Sequence, residues 1–293
     1  MQVRAFMTTS AFVRDRSLLL LWTITGMAFL LLFRSPMAGI ASAWWNDPEA
    51  GHGLLLAPVA FWLAYRSGIV PGARPQLALG SVLVALGVST RVVAALAAEA
   101  FGGRLALILC IAGLVIAGWG VRQLRAWWLP AVLLALAVPL PDIIVGSLAL
   151  PLQFEASRLG ASLLELRGVP VHLDGNVIRL PGRELFVTEA CSGLRSLTAL
   201  LSLGVLLGGL WLEHPALRIV LLALTLPIGV AINGVRVFLT GFLSLFVGPQ
   251  AAEGFTHLTQ GWLMFVVAFA LLAAIAWFLA WLESRLPRVE RHA

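Results

Sequence analysis

The chain alternates between long apolar runs and short polar segments that carry arginine. Eight runs, near residues 17–33, 51–65, 77–96, 105–119, 127–140, 197–212, 217–239 and 258–282, read as helices crossing a hydrocarbon core about 30 Å thick. The pattern predicts an all-α polytopic membrane protein of about eight transmembrane helices. The second and fifth runs are short for a span, which suits a tilted or re-entrant path. No small-residue cleavage site follows the first run, so it is read as a span and not as a removed signal peptide.

One stretch departs from this pattern. Residues 141–190 carry Asp142, Glu155, Arg158, Glu165, Arg167, Asp174, Arg179, Arg183 and Glu184. Apolar positions recur at helical spacing over 143–166, which predicts a helix lying along or dipping into the membrane interface. From Gly168 to Thr188 the period changes. Val169, Val171 and Leu173 alternate, Asp174-Gly175-Asn176 marks a turn, Val177, Ile178 and Leu180 follow, and Pro181-Gly182 turns again before Leu185, Phe186 and Val187. These are short β-hairpin strands. Residues 1–293 are expected to form a single membrane domain with 141–190 as its structured outer loop.

Composition excludes a water-soluble reading. Hydrophobic residues make up 60% of the chain and charged residues 12%, with a mean hydropathy of +0.95. Soluble domains are about a quarter charged. The formal charge of +6 comes from arginine alone, since the sequence contains no lysine. These arginines are scattered between apolar runs, so they form no stripe for nucleic acid and serve as topology determinants. With the N-terminus in the cytoplasm, Arg4, Arg14, Arg16, Arg66, Arg74, Arg122, Arg125, Arg218, Arg285, Arg288 and Arg291 fall inside. The short outer loops keep Arg34 and Arg104. This asymmetry predicts a multi-pass protein of the inner (cytoplasmic) membrane with both termini cytoplasmic. Trp44, Trp45, Trp127, Trp128 and Trp211 stand near span ends, as interfacial aromatics do.

Three polar clusters then fall at the same outer face. In Glu189-Ala190-Cys191-Ser192-Gly193-Leu194-Arg195, Cys191 precedes the sixth span, where helix-terminal N–H groups and the Arg195 charge one turn on favour thiolate. The competing reading is a small buried cysteine with arginine anchoring a helix end. Asn233-Gly234-Val235-Arg236 puts a guanidinium near the outer end of the seventh span, with Asn233 one turn below it. Snorkelling to headgroups competes there with an inward-facing polar site. His257 begins the eighth span, and His52, in Gly51-His52-Gly53, competes with it for the role of base. Arg91 is either structural or a partner for an acidic group, and Cys110 reads as core. A thiol, a histidine and a guanidinium are the parts of acyl transfer. No metal or other cofactor is implied, because the histidines lack ligand spacing and Cys191 has no second thiol nearby.

The Cys191 motif, Asn233-Gly234-Val235-Arg236, and His257 three residues before Gln260-Gly261 together resemble the exosortase/archaeosortase family. Gly168-Val169-Pro170-Val171, Asp174-Gly175-Asn176-Val177-Ile178 and Gly51-His52-Gly53 extend the resemblance over roughly His52 to Trp262. The resemblance implies a membrane cysteine protease or transpeptidase acting on exported proteins anchored by a C-terminal tripartite tail. That tail has a Pro-Glu-Pro-like motif, one transmembrane helix and a basic end. It implies Cys191 as nucleophile, His257 as general acid/base and Arg236 as stabiliser of the tetrahedral intermediate. Arg195, Glu189, Asn233 and His52 are supporting candidates. The partners expected are tail-bearing membrane proteins and the lipid bilayer, with no nucleic acid. Two other functions compete: a transporter or flippase for an anionic envelope precursor, which needs polar groups through the full membrane depth, and a non-catalytic scaffold.

Overall fold

The computed structural model describes residues 3–47, 49–187, 194–248 and 254–285, and their side chains except at 3–19, 21, 22, 142, 194, 195, 254–258 and 260. About 80% of the described residues are helical. Among the described residues the elements run α1 (Val3–Asn46), α2 (Gly53–Ser67), α3 (Leu77–Leu96), α4 (Ala100–Ala126), α5 (Trp128–Leu136) and α6 (Asp142–Leu166). Three strands follow, β1 (His172–Asp174), β2 (Val177–Leu180) and β3 (Arg183–Phe186), and then α7 (Leu194–Trp211), α8 (Pro215–Phe246) and α9 (Gly254–Arg285).

Each of the eight predicted spans coincides with a helix. Among the described residues, five helices are long and apolar enough to cross a membrane, within α1, α3, α4, α8 and α9. The helices of the other three predicted spans, α2, α5 and α7, are shorter. At about 1.5 Å per residue, α5 is only about 14 Å long and α2 about 23 Å, against a core of about 30 Å. The eight-span count therefore rests on pattern and is not matched by helix length. The chain packs as two compact units, one comprising residues 1–43 and 75–120, the other 44–74 and 121–293.

In the first unit, small residues let α3 and α4 touch backbone to backbone. A Cβ on Gly80 would lie 2.5 Å from the Ala117 backbone nitrogen, and one on Gly113 would lie 2.8 Å from Val84. Gly80, Val84 and Gly87 face Ala106, Cys110, Gly113 and Ala117, the small-residue seam that membrane helices use where no hydrophobic effect drives them together. Cys110 is buried in this seam, as expected of core. At the entry to α4, the Glu99 carboxylate accepts from the N–H groups of Gly102 and Phe101, which hold it below the usual glutamate range.

Helix α1 runs past the predicted end of the first span at Phe33 and carries Arg34 inside the helix, not in a loop. Pro36 lies within it, and proline lacks the N–H that would engage the carbonyl four residues back, that of Leu32. Arg91 Nε donates to this carbonyl at 3.2 Å. Of the two readings of Arg91, the structural one has an observed contact.

In the second unit, α8 packs most extensively against α6 and also against α7 and α9, while α2 packs on α5. The three strands form an antiparallel sheet in the order β1-β2-β3, with Asp174 paired to Val177 and Leu180 to Arg183. Gly175 and Gly182 take the positive φ values of 62° and 76° that the two tight connections need. Ile178 and Leu180 point down into a core shared with Ala156, Ala161 and Leu164 of α6 and Val237 of α8. The predicted loop helix and strands are thus both present.

Replacing Arg91 with leucine should strand the Leu32 carbonyl. A charged hydrogen bond is worth about 1.5–3 kcal/mol. The expected result is a lower Tm in detergent micelles with insertion unchanged; an unaltered Tm would show that the contact contributes nothing.

Candidate active site

The two ends of the second unit differ in character. At one end the turn joining α7 to α8 is tied to the end of α9, where the Glu283 carboxylate accepts from the Glu213 N–H at 3.0 Å and from the His214 N–H. Arg218, Arg66 and Arg285 lie over the rings of Trp128, Trp62 and Trp281, at 4.7, 5.2 and 4.7 Å from the ring centres. Such pairing of basic and indole groups suits a membrane–water boundary. The start of α7, the far half of α8 and the start of α9 therefore meet at the opposite end.

Arg236 stands 18 residues beyond Arg218 on the same helix, a rise of about 27 Å. That is close to the thickness of a bilayer core. The remaining turns of α8 continue past Arg236, and Val237, Phe238, Phe242 and Leu245 pack against α6 and the sheet.

The Asn233–Arg236 motif divides α8 between two neighbours. Gly234 faces α6, where a Cβ would lie 2.6 Å from that of Leu159, and Gly160 of α6 makes the reciprocal approach to Val237. Asn233 and Arg236, with Gly229 and Ile232, lie on another face and line a cavity of about 30 Å³. Their spacing of i, i+3, i+4 and i+7 defines one helix stripe. From α9, Gly261, Met264, Phe265 and Ala268 line the same cavity with the same spacing, and Ser196 and Leu200 contribute one turn of α7. Asn233 is buried. Arg236 is half-buried with its Nε enclosed, and its guanidinium lies over Gly261, where a Cβ would come within 3.3 Å of Nη2.

Of the residues singled out from sequence, Arg236 and Asn233 are thus on the cavity wall. His257 lies in the first turn of α9, one turn before Gly261. Arg195 lies in the first turn of α7, next to the cavity-lining Ser196. Cys191 and Glu189 fall outside the described residues; Cys191 precedes Ser196 by five positions. His52 is not on the cavity wall. Its Nδ1 is 3.0 Å from the Glu49 carbonyl oxygen and its Nε2 is 3.2 Å from that of Leu136, which ties the start of α2 to the end of α5. Trp44 Nε1 makes a parallel tie to the Ala137 carbonyl at 2.6 Å.

Sequence reasoning passed over a polar brace next to the cysteine motif. Asn176 Nδ2 donates to Gln153 Oε1 of α6 at 3.2 Å and to the Val187 carbonyl at 3.1 Å, and Val187 N–H donates to the Asn176 carbonyl at 2.9 Å. Gln153 and Val187 are both buried. The strand exit four residues before Cys191 is therefore fixed to α6. The sequence signal was a glutamine on the otherwise apolar side of a helix, which becomes legible only when a partner is known.

Asn176→Leu should leave the Gln153 amide and the Val187 carbonyl without this donor, a loss of about 1–3 kcal/mol. Limited proteolysis between β3 and α7 should accelerate in this variant. A double-mutant cycle with Gln153→Leu should be non-additive; additive losses would mean the two side chains act separately.

The model of a protein family, transmembrane exosortase (Exosortase_EpsH), matches residues 44–274, which hold the cavity and every candidate residue named above. No curated protein and no solved structure matches the chain. With well over half of the chain matched and the membrane helices in place, the protein belongs to the transmembrane exosortase family.

Proposed function

We propose that this protein is a cysteine peptidase or transpeptidase of the inner membrane that removes C-terminal sorting tails from exported, membrane-anchored proteins. The observation that carries the reading is the shared cavity. Arg236, the turn after His257 and the residue that follows Arg195 converge on it from three helices, at the end of the unit opposite the Arg–Trp pairs. Eight membrane passes, cytoplasmic termini and a site at the outer face complete the proposal.

In this mechanism Cys191 Sγ attacks the scissile carbonyl carbon. The Arg236 guanidinium donates to the oxyanion that develops there. As the C–N bond breaks, His257 gives its proton to the departing amine, leaving the acyl group as a thioester on Cys191. Water or an acceptor amine then attacks the thioester, His257 takes the proton, and the thiolate is released. Asn233 supports the guanidinium from one turn below, and Arg195 and Glu189 tune the charge around the thiol. An anchored substrate reaches the site by lateral diffusion, with its junction held at the height of Arg236, which supplies part of the orientation the reaction needs.

A transport function has less support. Between the cavity and the Arg–Trp end, α7, α8 and α9 are joined by an apolar core of Leu200, Leu207, Leu221, Ile228, Leu272 and Leu279. A path for an anionic precursor would need polar groups through that depth.

Intact mass of tail-bearing proteins, taken from cells with wild-type or Cys191→Ala enzyme, tests the proposal. The tail should persist only in the variant, and the new C-terminal mass distinguishes hydrolysis from transfer. Equal removal in both would overturn the thiol mechanism. Arg236→Lys should lower turnover by about 10²–10³-fold, the usual loss when one oxyanion donor is removed, because an ammonium does not reproduce the guanidinium fork. Gly261→Val should act in the same direction by pushing on the guanidinium; normal turnover in that variant would show that Arg236 is free to stand elsewhere.

A further inference from the structure

The cavity is chemically divided along its length. Its polar lining is Arg236 and Ser196 toward the end where α7 and α9 begin, with Asn233 one turn deeper. Seven residues, or about 10 Å of helix rise, separate Arg236 from Gly229 on α8 and Gly261 from Ala268 on α9. Over that depth the wall becomes Leu200, Ile232, Met264, Phe265 and Ala268. Close packing normally leaves no space of this kind between membrane helices, since a void forfeits the dispersion contacts of its lining. Gly229 and Gly261 on its wall are themselves tightly packed, since a Cβ on Gly229 would lie 2.9 Å from Leu197 and one on Gly261 would lie 3.3 Å from Arg236 Nη2.

Resting on the function proposed above, we infer that this cavity is a specificity subsite that takes one small apolar side chain of the substrate. That residue flanks the scissile bond on the membrane side, within the first turn of the substrate's own transmembrane helix. Three features select this occupant. Beyond Asn233 the floor is Leu200, Gly229, Phe265 and Ala268, so a charged or amide side chain reaching it would be buried without side-chain partners. The volume of about 30 Å³ admits roughly two water-sized groups, which suits alanine or valine and refuses leucine or phenylalanine. The guanidinium of Arg236 stands at the polar mouth, so the scissile carbonyl, bonded to the backbone nitrogen of the residue seated in the subsite, lies next to the proposed oxyanion donor.

Met264 and Ala268 are then specificity-determining residues. A single methylene in such a pocket changes selectivity by about 10–200-fold. The experiment places Ala, Val, Leu or Phe in turn at each residue around the cleaved bond of a tail-bearing substrate, and compares processing by wild-type, Met264→Ala, Ala268→Val and Cys191→Ala enzymes by intact mass. At one position only, wild type should process Ala and Val at least about tenfold faster than Leu and Phe. At that position Met264→Ala should restore Leu processing relative to Ala, and Ala268→Val should extend the rejection to Val. If Met264→Ala fails to accumulate, Ala268→Gly provides the enlarged pocket instead. If wild type is Cys191-dependent but accepts Leu and Phe as well as Ala at every position, the subsite is wrong and the thiol mechanism stands. Pocket variants that leave the preferences unmoved would overturn the subsite in the same way. If Cys191→Ala processes the substrates like wild type, or wild type processes none, the function itself falls and the subsite with it.

Discussion

An arginine on a membrane-crossing helix has to deliver its charge to headgroups, to a polar pocket or to water, and the position of Arg236 governs the elements around it. Insertion costs about 2.5–3.5 kcal/mol at mid-membrane and falls toward the boundary. On α8 the group sits about 27 Å of helix rise from Arg218, close to the thickness of a bilayer core. What lies beyond Arg236 must still cover its own backbone and apolar side chains. The long α6 and the three-stranded sheet meet that requirement by burying Val237, Phe238 and Phe242. The same packing sets Leu185 of β3 against Gly241 of α8.

Glycine makes this arrangement possible where three bodies compete for one helix. Gly234 admits α6 on one side of α8 while its neighbour Asn233 turns to the cavity, so a single residue step changes the chemistry of the face. Gly229 and Gly261 serve close approach on the cavity side, where a Cβ would press on Leu197 and on the Arg236 guanidinium. A larger residue at either position would displace a neighbour, so packing and site geometry constrain the same stripe together.

Much of this was legible in the sequence, for physical reasons that differ by element. Long apolar runs identified every predicted span as a helix because backbone groups in hydrocarbon must be satisfied internally. The hairpins were legible from Asp174-Gly175-Asn176 and Pro181-Gly182, whose conformational demands are local. Helix ends were less so. Arg34 suggested a loop, yet α1 continues through it to Asn46, and the carbonyl that Pro36 releases accepts from Arg91 of α3. The fifth run already read as short for a span, and α5 is shorter still, since hydropathy records a run but not where the helix within it stops. Of the site, Asn233 and Arg236 were found from polarity against an apolar background. The rest of the cavity wall was missed because Gly229, Met264, Phe265 and Ala268 are apolar among apolar residues, and the Gln153–Asn176 brace joins residues 23 positions apart.

The proposed chemistry draws each group from a different element: the nucleophile from the sheet-to-α7 connection, the oxyanion donor from α8, and the acid/base from α9. No two are held by one rigid helix, so their registry depends on interhelical packing and on the brace at Val187. In a bilayer that packing has no hydrophobic drive between helices and relies on close contact of small residues. A site assembled this way tolerates change at lipid-facing positions and is sensitive to a single methyl group at Gly234, Gly160 or Gly261, even though none of the three carries a functional side chain.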